Sequence, residues 1–210
     1  MDILESINEA IQQGRAKIVK TSVEQALNEG LDAKVILNEA LIKAMNAVGE
    51  KFKNNEIFVP EVLVAARAMN AGLEIIRPVL LKEGVKPIGK AVICTVKGDM
   101  HDIGKNLVKM MIEGQGIECI DLGVDVAPET VVEAVKQHNA QIVCLSALLT
   151  TTMMSQKDTI EALKAAGLRD KVKVMVGGAP VTAEFAKQIG ADCYTSDAAS
   201  AAEAAKAFLM

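Results

Sequence analysis

Five apolar runs mark the second half of this chain: "AVICTV" (91–96), "IECIDLG" (117–123), "IVCLSAL" (142–148), "VKVMVGG" (172–178) and the weaker "DCYTS" (192–196). Stretches with helical spacing lie between and after them, at about 102–114, 128–138, 154–166, 180–189 and 197–208. A series of strand–helix units leaves few folds open. The strands must be parallel, their crossovers right-handed, and the helices must cover both faces of the sheet. Five such strands predict the flavodoxin-like order 2-1-3-4-5, with ligands at the carboxyl ends of the strands. Cys94, Cys119 and Cys144 recur at intervals of 25 residues, each inside an apolar run. That placement reads as small core residues on successive strands, not as disulfides or zinc ligands, and Cys193 reads the same way.

The first half has a different pattern. Up to about residue 86 no alternating run appears, and apolar positions recur at helical spacing: Ile3, Ile7, Ile11, then Ile18, Val23, Leu27, then Val35, Ile36, Leu41, Met45, Val48. Gly30 reads as a helix stop, Asp32 as the next N-cap, and Pro60 as a residue of a first helical turn. Pro78 is expected to bend or end the last helix. The pattern predicts a four-helix antiparallel bundle over 1–87, joined through "EGVKPIGK" (83–90) to an α/β domain over 88–210.

Composition excludes some functions. The chain carries a net charge of -4 and is 2% aromatic with no Trp, which counts against nucleic acid as a partner. No apolar stretch approaches the ~20 residues that span a bilayer, so no membrane role is expected. The start, "MDILESINEA", lacks the basic and apolar regions of a signal peptide, and a cytoplasmic protein is expected.

Chemistry should sit at the strand ends. The first strand is followed by "KGDMHDIGKN", with Asp99-x-His101-x-x-Gly104; the third by Ser146, Thr150, Thr151 and Thr152; the fourth by Gly177 and Gly178; the fifth by Tyr194 and Ala198. The second strand offers "DLGVDVAPE", a carboxylate with no other reactive group. Ser146 has no G-x-S-x-G elbow around it, and the glycine pattern is neither a P-loop nor a dinucleotide fingerprint. A metal fits better, because imidazole is a common ligand and a carboxylate on its other nitrogen fixes the tautomer. One histidine cannot complete a zinc site, so the remaining ligands would come with a macrocycle, and Gly104 would let a planar ring approach the backbone. The plain alternative is a solvated histidine in a polar turn. Likewise Ser146 and Thr150 read equally as capping hydroxyls, Gly177 and Gly178 as a turn, and His138 as the C-terminal residue of a helix.

Taken together, Asp99/His101/Gly104, Ser146/Leu148 and Gly177/Gly178 resemble, in order and in the unit holding each, the cobalamin-binding domain of the methionine synthase type. "MNAVGEKFKNNEIFVPEVLVAARAM" (45–69) resembles that family's helical cap. A cap plus this domain, without a catalytic barrel or DNA-binding domain, is similar to the small corrinoid proteins of methyltransferase systems for methanol, methylamines, betaines or aromatic methyl ethers.

The resemblance implies cobalamin bound base-off, with His101 as the lower ligand of cobalt and the nucleotide tail in a slot beside the sheet. Asp99 would hydrogen-bond His101, and Thr152 would continue that relay. Gly98, Met100, Asp102, Ile103 and Gly104 would complete the loop under the corrin. Ser146, Leu148 and Thr150 would contact the tail, Gly177 and Gly178 would let it pass, and Tyr194 and Ala198 would lie near its far part. From the cap, Phe52, Phe58, Val59 and Val62 would shield the upper face. The implied function is a carrier with no catalytic residue of its own. It takes a methyl group on Co(I) from a donor-specific methyltransferase and passes it, from Co(III), to an acceptor methyltransferase serving tetrahydrofolate or a thiol. A reductive activase would be a further partner. A B12-sensing regulator and the B12-binding subunit of a mutase are the alternatives.

Overall fold

The computed structural model describes residues 2–210 and divides into two compact units, Met1–Pro87 with Gly114–Gly116, and Ile88–Glu113 with Ile117–Met210.

The first unit is helical. It contains α1 (Ile3–Gln12), α2 (Ala16–Asn28), α3 (Ala33–Val35), a π-helical stretch Ile36–Ile42, α4 (Lys43–Lys53) and α5 (Val59–Lys82). The segment from α3 to α4 is helical throughout, so four helical rods result. Their inner faces meet through Ile7, Ile11, Val19, Val23, Ile36, Leu41, Met45 and Ile76, all fully buried. Gly72 sets how closely α5 approaches, because a Cβ there would lie 2.8 Å from Val19 and 3.2 Å from Leu41. Asp32 caps α3 by accepting from the Lys34 amide at 2.7 Å. Pro78 does not end α5, which continues to Lys82. Near the end of a long helix Pro78 forfeits one backbone hydrogen bond, and Ile76 and Leu80 on either side of it are buried in the bundle, which holds the last turns in place.

The second unit is a doubly wound sheet. Its strands are β1 (Lys90–Thr95), β2 (Glu118–Asp121), β3 (Ile142–Ser146), β4 (Lys173–Gly177) and β5 (Cys193–Tyr194), and the crossovers are α6 (Ile103–Glu113), α7 (Pro128–His138), α8 (Met154–Ala165) and α9 (Ala183–Ile189), with α10 (Ala198–Ala207) last. All pairs are parallel and the order is β2-β1-β3-β4-β5, as the repeat pattern predicts. Central strands are covered on both faces: Ala91 to Val96, Ile142 to Leu145 and Val174 to Val176 are all buried. All four cysteines are free. Burial pushes the Cys94 and Cys144 thiols up to about 12, so neither supplies a thiolate. The order reverses between β1 and β3, and in such sheets the carboxyl ends of the strands at that switch point are where ligands bind.

Candidate functional site

The loop between β1 and α6 lies at that switch point. Asp99 is 0% exposed there, and its carboxylate is enclosed by donors. Oδ1 accepts from the His101 amide at 3.1 Å and faces His101 Nδ1 at 2.7 Å. Oδ2 accepts from the Leu148 amide at 2.7 Å, the Leu149 amide at 3.4 Å and Thr152 Oγ1 at 2.6 Å. Burial alone would raise the pKa of this group. The hydrogen bonds from Thr152, His101 and Leu148 outweigh that and hold it well below the usual carboxylate range.

An anionic Asp99 fixes the histidine tautomer. Nδ1 must carry the proton, so Nε2 presents a lone pair. That nitrogen has no hydrogen-bond partner among the described residues, and the side chain is 51% exposed. The backbone of His101 is held from both sides, its amide on Asp99 and its carbonyl accepting from Thr95 Oγ1 at 2.8 Å. The result is a pre-oriented nitrogen donor facing outward from a rigid loop.

Apolar side chains lie on the same loops. Met100 is 68% and Ile103 74% exposed, and Leu148 and Leu149 are also open to solvent. Beside a lone nitrogen donor they suit a broad, partly apolar ligand better than a hydrated ion. A Cβ on Gly104 or on Gly177 would meet nothing within 4 Å, so both positions face open space. Among the described residues no group of three or more His, Cys, Asp or Glu side chains could hold a metal ion. A metal at His101 therefore needs a group that brings its own equatorial ligands, and the donor set fits a corrinoid in that respect.

The other sequence-predicted residues divide by unit. Ser146 pairs with Thr95 on one side and Gly177 on the other, at the ends of β1, β3 and β4. Thr150 is exposed, whereas Thr152 is buried on Asp99. Gly98 and Asp102 are exposed at the two ends of the loop, and Gly178 follows β4 with φ +122. Tyr194 pairs with Val176 and is half-buried, and Ala198 is buried at the start of α10. In the helical unit, Phe52 and Val59 are half-buried near the α4–α5 break, Phe58 is 63% exposed, and Val62 is buried in the bundle core.

Sequence reasoning missed several partners. Lys105, nearly buried, places Nζ 2.7 Å from both oxygens of Asp121 and 2.7 Å from Asn106 Oδ1, and Asn106 Nδ2 donates to Asp102 Oδ2 at 3.1 Å. The helix after the histidine loop is thus tied to the end of β2. Gln156 donates from Nε2 to the Leu145 and Gly177 carbonyls, joining β3 to β4. Asp125, in the segment read as offering a carboxylate and no other reactive group, contacts the histidine loop.

Asp99→Asn tests the electrostatic part of this arrangement. An amide presents an N–H2 where a donor already points, so one of the contacts to Thr152, Leu148 or His101 is lost. Replacing a carboxylate behind a metal-bound imidazole typically costs ~10- to 100-fold in affinity or activity. For a metal held at His101, the variant is expected to show a weakened metal–imidazole bond, read from the visible spectrum. A spectrum and affinity equal to wild type would reduce Asp99 to a turn residue.

Two family profiles, both described as "B12 binding domain", match residues 89–206 and 3–77. The trimethylamine corrinoid protein 1 of Methanosarcina acetivorans is 41% identical over 100% of this chain and 98% of its own length. The dimethylamine corrinoid protein of Methanosarcina barkeri is 43% identical over 99% and 98%. Among solved structures, the methanol:cobalamin methyltransferase complex MtaBC of Methanosarcina barkeri superposes with a TM-score of 0.87 at 32% identity, over 99% of this chain and 79% of that one. A cobalamin-binding protein of Desulfitobacterium hafniense superposes with 0.82 at 31% identity, over 99% and 98%.

Proposed function

This chain belongs to the B12-binding corrinoid proteins, and from that premise we propose that it is the methyl carrier of a methylamine-type methyltransferase system. Its relatives at 41–43% identity over nearly their whole length are named for trimethylamine and dimethylamine, which favours an amine over methanol as the methyl donor. A B12 sensor and a mutase subunit have no counterpart among these relatives. The observation that carries the reading is the Asp99–His101 pair: Nδ1 is held on Asp99, Nε2 has no partner among the described residues, and exposed apolar side chains lie on the same loops.

When bound, the corrinoid supplies a cobalt that accepts a methyl group in its Co(I) state and gives it up to a second acceptor. The chain's own residues do the rest. His101 Nε2 would hold the cobalt. The buried Asp99 carboxylate holds the proton on Nδ1 and so keeps Nε2 available as a donor. Thr152 Oγ1 and the Leu148 amide keep Asp99 ionised. Ser146, Gly177 and Gly178 at the strand ends would hold the nucleotide tail, with Thr150, Tyr194 and Ala198 farther along it. Loading and unloading the methyl group fall to two separate methyltransferases, and a reductive activase would restore Co(I). No helix among the described residues is long and apolar enough to cross a membrane. Four free thiols suit a reducing compartment such as the cytoplasm.

The test is methyl uptake. The cobalamin-loaded, reduced protein is mixed with a trimethylamine or dimethylamine methyltransferase and each candidate donor in turn. One methyl group per chain from a methylamine, lost again on adding a thiol and its methyltransferase, is the expected result. Cobalamin binding without methylation by any donor would favour a sensor.

A further inference from the structure

Asp125 is an exposed acid in an uncommon conformation, with φ +53 in a non-glycine residue. Left-handed backbone persists in such residues when the surroundings fix it, and Asp tolerates it better than most. Here the surroundings are the histidine loop itself. Asp125 Oδ1 accepts from the Gly98 amide at 2.7 Å, and the Asp125 amide donates to the Asp99 carbonyl at 2.9 Å. One residue therefore grips the loop on both sides of the Gly98–Asp99 peptide.

The neighbouring backbone aligns this grip. Beyond the end of β2, the Thr95 amide donates to the Gly123 carbonyl at 2.9 Å, the Val126 amide donates to the Thr95 carbonyl at 3.1 Å, and Val126 bridges to Val96. The Gly123 amide in turn rests on Asp121 Oδ1 at 2.9 Å. The Asp125 side chain has no place in the core, so its contribution is confined to the loop.

We infer that Asp125 is a positioning residue for the lower ligand: it fixes the Gly98–Asp99 peptide and through it the place of the His101 imidazole. Asp99 sets the imidazole's tautomer, whereas Asp125 sets where Asp99 stands. With the clamp intact, the His101 backbone stays put and the imidazole meets the metal already aligned. This inference rests on the corrinoid reading above.

Two variants separate its parts. Asp125→Gly keeps the left-handed backbone easily but removes the carboxylate. Asp125→Asn keeps an acceptor oxygen and removes the charge. In the apo protein, Gly98 amide hydrogen exchange should quicken in Asp125→Gly and stay slow in Asp125→Asn, with the thermal midpoint close to wild type in both. In the cobalamin-loaded protein, the cyanide concentration that displaces His101 from Co(III), read in the visible spectrum, should fall roughly 2- to 10-fold in Asp125→Gly, the size expected for one lost hydrogen bond. It should match wild type in Asp125→Asn. Wild-type exchange at Gly98 together with wild-type cyanide displacement in Asp125→Gly overturns the inference, as does equal loss in both variants. If the wild-type protein takes up no cobalamin, the corrinoid reading fails, and the exchange measurement alone still decides whether the clamp exists.

Discussion

His101→Ala is expected to leave the fold intact and to remove the lower ligand altogether. The side chain is half-exposed on a loop, so its loss opens no core cavity. The buried Asp99 carboxylate loses its Nδ1 donor, which costs roughly 1–3 kcal/mol where nothing replaces it. The half-open site admits water, and the contacts from Leu148, Thr152 and the residue-101 amide do not depend on the ring. A modest drop in thermal midpoint is therefore expected beside a complete change at cobalt. The Co(III) spectrum should shift to that of a water-ligated or ligand-free lower face, and methyl transfer should fall by more than the ~10- to 100-fold expected of Asp99→Asn. An unchanged spectrum in His101→Ala would place the ligand elsewhere.

The second large effect is expected at Gly178. Its φ of +122 lies where L-residues rarely go, and a Cβ there would strike the Ala147 carbonyl oxygen and come 2.7 Å from its carbon. The obstacle is backbone, held by the Ala147 amide donating to the Gly177 carbonyl at 3.1 Å, so no side chain can swing aside. Strain and overpacking together should cost roughly 2–6 kcal/mol in Gly178→Ala. For a chain of this size each 1 kcal/mol lowers the midpoint by roughly 2–4 °C. Gly177→Ala is the control, because its Cβ would meet nothing within 4 Å. It should leave the apo midpoint nearly unchanged and weaken cobalamin binding, if the open space at Gly177 receives the nucleotide tail. Equal midpoints for Gly178→Ala and wild type would mean that this turn rearranges freely.

The contrast between these two glycines also shows what the sequence could and could not carry. Strand order was readable because the burial of both sheet faces writes itself as continuous apolar runs, and because crossover handedness leaves one economical arrangement. The histidine loop was readable because Asp99 and His101 are two residues apart, a local relation. Thr152 lies far along the chain, and only the resemblance connected it to Asp99. The stretch holding Asp121 and Asp125 was read as a carboxylate at a strand end, but nothing in the sequence tied Asp125 to the histidine loop or Asp121 to Lys105. Asp125 holds its left-handed conformation without being glycine, and Lys105 sits on a helix where a lysine ordinarily faces water. Each is explained by a partner from another strand end, which only the folded sheet brings near. At Pro78 a local rule allowed a bend or an end, and the helix runs on to Lys82 with Ile76 and Leu80 packed in the bundle.

The central claim is that the imidazole of His101, and not the cofactor's own base, occupies the lower face of cobalt. Isotopic labelling tests it most directly. The protein is produced with 15N-histidine, loaded with unlabelled cobalamin, reduced to Co(II) and measured by EPR. A ligand nitrogen of natural abundance splits each cobalt line into three, and a 15N ligand splits it into two. Two-fold splitting that disappears in His101→Ala is the expected result. Three-fold splitting in the labelled protein would show the benzimidazole still on cobalt and would contradict the account.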